Sequence, residues 1–233
     1  MTPVENYLVY VHNQNLKRKA PTALAMLSRQ YRRRIFTVVT LFFFQQMSGI
    51  GFFIFYSTKI FSDIGQDGNV ATFVLNIANL VGGIMAMYTV PKFGRKPSFV
   101  IGILAQAATW VGFCMMKYYD SWALLYPICS LYMVSYAMGV AAPSFPWVAE
   151  TLPPIGCSVV WFLQLGINTV VGKYSPIMAD GWPGLLPLSI FFLVVCVVGS
   201  VVLDYLCVET KNKSTEKIAE EYLDFKYRPC NWD

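Results

Sequence analysis

Six stretches of the chain contain no charged residue and are dominated by apolar side chains: residues 35–58, 70–91, 97–116, 121–149, 151–172 and 181–203. Each holds at least the ~20 residues a helix needs to cross a ~30 Å hydrocarbon core. The apolar positions fill these runs in blocks and do not alternate, which points away from half-buried strands. Inside a bilayer a segment must satisfy its own backbone hydrogen bonds, so runs of this length fold as helices. The pattern predicts an all-α membrane protein with six transmembrane helices. The polar breaks between them are short: "SDIGQDGN", "PKFGRKP", "KYYDS", "ETLPPIG" and "ADGWPG". The first 34 residues form a polar, basic segment in which Thr22–Gln30 can make a short helix. Residues 35–207 form the bundle, with its second span ending at Pro91. Residues 208–233 are a charged tail with helical propensity, capped by Ser214 or Thr215. Pro127, Pro143 and Pro146 predict a kink or break in the second half of the fourth span.

Composition agrees with the pattern. The chain is 56% hydrophobic and 13% charged, against ~25% charged residues in an average soluble domain. With the N-terminus inside, fifteen of the 18 Lys and Arg lie in inner segments, leaving Lys59, Lys117 and Lys173 outside. That bias predicts both termini on the cytoplasmic side of a multi-pass protein of the cell membrane. It also accounts for the net charge of +5 without a nucleic-acid partner. Arg32, Arg33 and Arg34 read as an anchor at an anionic lipid surface, and the first span as an uncleaved insertion signal. The six cysteines show no CxxC pairing and His12 is the single histidine, so no metal, cofactor or disulfide framework is expected. Enzyme signatures such as HExxH, GxSxG or a P-loop are missing from the sequence.

The remaining chemistry is carried by amides inside the spans. Gln45, Ser48, Gly49, Phe52 and Tyr56 lie three or four apart on one helical stripe, with Gln46 about 100° around from Gln45. Span two carries Asn76 and Asn79, and span five Gln164 and Asn168, each pair on one face. Amides offer donors and acceptors together, which suits a neutral polyhydroxylated ligand. Hydrogen-bonded glue between helices is the other use of such residues, and spacing leaves both open. Ala78, Gly82 and Ala86 form a small-residue face suited to close helix packing. Glu150, at the membrane edge, is placed to pair with Arg95.

Four motifs in order resemble the C-terminal half, the last six helices, of a major facilitator superfamily sugar porter. "QQMSGIGFFIFYS" (Gln45–Ser57) resembles the seventh-helix signature QQxSGxNxxxYYS, and "PKFGRKP" (Pro91–Pro97) resembles the D-R-x-G-R-R turn. "APSFPWVAETLPP" (Ala142–Pro154) resembles the G-P-x-P-W…E…P segment of the tenth helix, and "VETKNKSTEKI" (Val208–Ile218) the PETKGKTLEEI tail. The similarity runs from about Ala23 to Tyr222 and is nearest in flavour to insect trehalose and hexose facilitators. It implies one six-helix bundle of a major facilitator fold, completed by a first six-helix half in a longer chain or another protein. It implies facilitated diffusion of a neutral sugar, a hexose or a disaccharide such as trehalose, by alternating access. The alternative is a non-transporting half-length homologue, degenerate or acting as a partner of full-length porters. The resemblance assigns sugar contact to Gln45, Gln46, Asn79, Trp147, Gln164, Asn168 and Tyr56. A gating charge network falls to Arg95, Lys96 and Glu150. Gly51 stands where the signature has a sugar-binding Asn, Phe55 where it has a Tyr, and Pro91 where the turn has an acid. Aligning on Glu150 puts Phe145, not Trp147, in the tryptophan's place.

Overall fold

The computed structural model describes residues 29–63, 65–119, 121–180 and 185–223. Six helices in it are long and apolar enough to cross a membrane: Tyr31–Asp63, Gly68–Phe93, Arg95–Tyr118, Trp122–Thr151, Pro154–Asp180 and Leu185–Leu206. These are spans one to six. A tail helix, Thr215–Leu223, follows. The short helix expected over Thr22–Gln30 lies outside the described residues as far as residue 28.

Most helices outrun the uncharged stretches, because Lys and Arg at a membrane edge extend their heads to water while their backbone stays helical. Span two passes Pro91, correcting the expected end there, and stops two residues later. Gly94 caps it, and its N–H donates to the Val90 carbonyl at 3.0 Å. Proline in a last turn removes only one ladder bond. Span five starts at Pro154, because Leu152 is extended (φ −119°, ψ 150°) and ends span four. Span four is one continuous helix. A π turn, Ala137–Ala141, precedes Pro143, and the added residue widens the ladder where the proline ring would clash.

Arg32, Arg33, Lys92, Arg95, Lys96 and Lys211 gather at one end of the bundle, the basic end; Lys59, Lys117 and Lys173 mark the other. The core is aromatic and joins spans one, three, four and six. Phe53 meets Tyr132 at 4.4 Å between centroids and Trp110 at 5.2 Å, while Trp110 meets Phe192 at 4.9 Å. Such pairs contribute ~0.5–1.5 kcal/mol each beyond their area burial. Spans two and five turn large apolar side chains outward, among them Phe73, Leu80, Met87, Phe162 and Leu165.

The tail helix is amphipathic and lays Ile218 and Tyr222 against the basic end, both buried. Ser214 Oγ caps it by accepting from the Lys217 N–H at 3.3 Å. Lys213 and Glu221 pair across it at 2.7 Å.

Candidate functional site

Span one does not run straight through the membrane. A π turn, Gln46–Ile50, interrupts it at mid-length, and inside that turn Gly49 takes φ 100° and ψ 13°. This is left-handed backbone that favours glycine. A Cβ on Gly49 would also stand 2.5 Å from the Trp110 ring. The kink diverts the Ser48 carbonyl from the regular ladder toward other spans. Trp110 Nε1 of span three donates to it at 2.8 Å, and the Tyr132 hydroxyl of span four at 3.1 Å. Ser48 Oγ in turn donates to the Gln45 carbonyl at 2.7 Å. The break is therefore pinned from two sides.

The glutamines sit against this kink, about 18 Å along the helix from Arg33 and so near mid-membrane. Gln45 and Gln46 are both buried. Gln45 Nε2 donates to the Tyr136 hydroxyl at 3.2 Å. Its Oε1, and Oε1 of Gln46, are buried without a hydrogen-bond partner. On span five Asn168 Oδ1 is likewise buried and unpartnered. It lies 3.1 Å from where a Cβ on Gly51 would stand, and Gly172 N lies 3.2 Å from that point. Spans one and five thus touch at Gly51, and a larger residue there requires the two spans to give by a few tenths of an ångström. Gln164, one turn nearer the basic end than Asn168, is buried at the level of the glutamines.

Two of the expected contacts are engaged elsewhere. Trp147 is fully buried and its Nε1 donates to the Val208 carbonyl at 2.9 Å. Its ring also meets Phe99 edge-on at 5.6 Å. The indole is fixed between span four and the tail, so it is not presented to a ligand; two residues along a helix change the face. Phe145 occupies the outward face, 60% exposed, stacked on Trp161 at 4.6 Å and 23°. Trp161 continues to Phe42 at 4.9 Å, giving an aromatic wall one to two turns below the amides. Tyr56 is buried and its hydroxyl donates to the Asp180 carboxylate, which also pairs with Lys59. That group clasps spans one and five at the end opposite the basic one. Asn79, with Asn76, lies on an exposed face of span two.

Tyr132, Tyr136, Trp110 and Trp161 were not singled out from sequence, whereas Phe145 was, as the alternative to Trp147. The signal was present for the tyrosines, which stand four apart in span four.

At the basic end Arg95 Nη2 meets Glu150 Oε1 at 2.6 Å, and Lys96 meets Asp204 at 3.2 Å. Glu209 of the tail completes the group. Its carboxylate accepts from the backbone N–H groups of Arg95 (3.0 Å), Lys96 (2.8 Å), Thr210 (2.9 Å) and Lys211 (2.8 Å). The first two are unbonded donors at the N-terminus of span three, where the helix dipole favours an anion. Lys211 Nζ donates to the Lys92 carbonyl at 2.6 Å. With Pro91 uncharged, Glu209 bonds the backbone of this turn, while Glu150 and Asp204 pair with its Arg95 and Lys96 side chains.

Cavities lined by described residues lie at the basic end. One, of about 560 Å³, sits between the start of span one, the end of span six and the tail helix. Another, of about 310 Å³, lies between spans two and four beside Pro91, Arg95 and Pro146. Neither includes the amides, whose partnerless oxygens are the stronger indication of a polar ligand.

Residues 4–222 match the family model described as "Sugar (and other) transporter". A facilitated trehalose transporter Tret1 of Drosophila grimshawi is 28% identical over 218 residues, 87% of this chain and 23% of that protein. The Polypedilum vanderplanki protein of the same name is 26% identical over 85% of this chain and 42% of its own length. An arabinose-proton symporter of Escherichia coli is 28% identical over 58% of this chain and 31% of its own. The chain therefore spans less than half the length of these relatives. Among solved structures, the major facilitator superfamily proton:xylose symporter XylE with bound 6-bromo-6-deoxy-D-glucose superposes with TM-score 0.72 at 22% identity. That match covers 81% of this chain and 42% of the other. A double-Trp XylE mutant gives TM-score 0.74 at 21% identity, over 91% and 46%. The bundle accordingly has the fold of one half of a major facilitator, and the chain belongs to the sugar (and other) transporter family.

Proposed function

We propose that the chain supplies one six-helix half of a facilitative transporter for a neutral sugar, with Gln45, Gln46, Gln164 and Asn168 bonding its hydroxyls. The observation that carries this reading is the set of buried, partnerless amide oxygens on spans one and five. Each is an acceptor at mid-membrane, where water is scarce and an unmet acceptor costs ~1–3 kcal/mol. Sugar hydroxyls are donors, and the Phe145–Trp161 stack offers the flat apolar face that a sugar ring needs. The Phe145 side of the site is exposed, and a second six-helix half would cover it. The π turns of spans one and four are the bending points for alternating access. No carboxylate stands at the middle of a described span, which favours uniport over proton coupling. Arg95, Lys96 and Glu150 hold the basic end closed.

The second reading is a half-protein that binds sugar without moving it, or partners full-length porters. The contact of Gly51 with Asn168 and Gly172 favours it, because it fills the place where the signature has another sugar ligand.

Two measurements separate these readings. Titration of tryptophan fluorescence with glucose and trehalose reads binding, since Trp110 and Trp161 flank the site. Uptake of the same radiolabelled sugars into proteoliposomes, with and without a proton gradient, reads transport. With a first six-helix half supplied, gradient-independent uptake above that of empty liposomes supports the first reading, and binding without uptake supports the second. Silence in both assays would refute the sugar site.

A further inference from the structure

We propose that the cavity of about 560 Å³ at the basic end is a binding site for the headgroup of one anionic phospholipid. It is lined by Arg32, Arg33, Phe36, Thr37, Leu206 and Tyr222. Its volume lies within the ~300–1,000 Å³ typical of small-molecule pockets.

The charge of the site has no counterpart among the described residues. Among the described residues none of Arg32, Arg33 and Arg34 pairs with a carboxylate. Arg33 Nη1 lies 3.5 Å from the Tyr222 and Leu223 carbonyls, steadying the end of the tail helix, and Arg32 is exposed at the rim. Arg34 stands one residue further along, 7% exposed, with Nε and Nη2 lacking partners. Its guanidinium lies 5.3 Å from the Tyr31 ring centre. Arg32 and Arg33 line the cavity and are exposed, with the buried Arg34 beside it, so three positive charges are gathered where one phosphate would offset them. Guanidinium forks match phosphate oxygens in pairs.

The walls supply the other half of the argument. Phe36 is 61% exposed, and with Leu206 and the Tyr222 ring it forms an apolar surface beside the arginines. Burial pushes the Tyr222 phenol well above its ordinary value, so that wall stays neutral. The arginines stand where span one leaves the hydrocarbon, the depth at which lipid phosphates lie. Inorganic phosphate would answer the charge but leave the apolar wall bare. A zwitterionic lipid would cover the wall but answers the charge poorly. An anionic phospholipid does both, with its phosphate on Arg32 and Arg33 and its first acyl carbons along Phe36 and Leu206.

Native mass spectrometry of the full chain in detergent tests this, with phosphatidylglycerol, phosphatidylcholine or inorganic phosphate added in turn. One phosphatidylglycerol adduct is expected, at least tenfold tighter than phosphatidylcholine. Arg32→Gln with Arg33→Gln weakens it at least tenfold, while Lys117→Gln at the other end leaves it unchanged. Arg32→Gln alone, at an exposed side chain, is expected to weaken it about threefold and carries the test if the double variant fails to fold. Equal retention of the two lipids would overturn the proposal. So would displacement of phosphatidylglycerol by an equal concentration of inorganic phosphate, which would mean a simple anion site. Phosphatidylglycerol retention untouched by both Arg32→Gln and the double variant would also overturn it.

Discussion

Replacing Glu209 by alanine removes an acceptor from four backbone N–H groups at once, those of Arg95, Lys96, Thr210 and Lys211. Two belong to the first turn of span three, and two to the bend that carries the chain from span six to the tail helix. Losing a helix cap alone costs ~0.5–2 kcal/mol. A buried donor left without an acceptor costs ~1–3 kcal/mol, less where water can replace it. Glu209 is half-buried, so water recovers part of the four bonds and the net loss is about 3 kcal/mol. For a chain of this length each kcal/mol moves Tm by ~2–4 °C, so Glu209→Ala lowers Tm by about 6–12 °C. Glu209→Gln keeps one carbonyl oxygen but turns an NH₂ group toward a backbone N–H, and about half the loss follows. The assay is thermal unfolding in detergent, followed by tryptophan fluorescence. Glu216→Ala, in the exposed first turn of the tail helix, serves as control. A Glu209→Ala shift no larger than the control's would refute the claim that the tail carboxylate fastens spans three and six.

Three other substitutions address the membrane interior. Gln45→Leu keeps the volume but removes the open Oε1 acceptor, and weakens sugar binding in the fluorescence titration about tenfold, the effect of ~1.5 kcal/mol. Tyr136→Phe removes only the 3.2 Å bond from Gln45 Nε2; it costs ~0.6 kcal/mol of stability and leaves binding within about threefold. Gly51→Asn, which restores the signature residue, sets its Cβ 3.1 Å from Asn168 Oδ1 and 3.2 Å from Gly172 N. Forcing spans one and five apart costs ~1–3 kcal/mol, read as a lower Tm; an unchanged or higher Tm would show that the two spans are not locked there.

The number and order of the spans were legible because hydropathy is a one-dimensional signal and a bilayer allows it one outcome. The pairing of Arg95 with Glu150 was legible for a similar reason, since opposite charges confined to one membrane edge find each other. What spacing did not carry was side. Trp147 and Phe145 stand two residues apart on one helix. Which of them turns to the tail and which to the open face is set by the π turn of span four, whose added residue rotates everything after it. The backbone reversal at Gly49 was also hidden, since a glycine in a membrane helix is as often a packing residue as a kink. Glu209 escaped because its partners are backbone N–H groups, which leave no mark in a sequence.

The glutamine pair shows why glue and ligand contact could not be separated by spacing. The two roles are not exclusive, because an amide has two ends. In Gln45 the NH₂ end binds span four through Tyr136, and this fixes the rotamer that leaves Oε1 without a partner. The glue thus sets the direction of the open acceptor. A ligand hydroxyl meeting it finds a group already oriented, and little side-chain entropy remains to be lost on binding. Tyr136→Phe should therefore do more than loosen the bundle slightly. By freeing the amide to rotate, it makes sugar binding weaker through an unfavourable entropy while the number of hydrogen bonds to the ligand stays the same. Calorimetric titration of that variant, with binding enthalpy unchanged and the small loss wholly entropic, supports this account. A loss carried by the enthalpy would mean that the hydroxyl of Tyr136 itself touches the sugar.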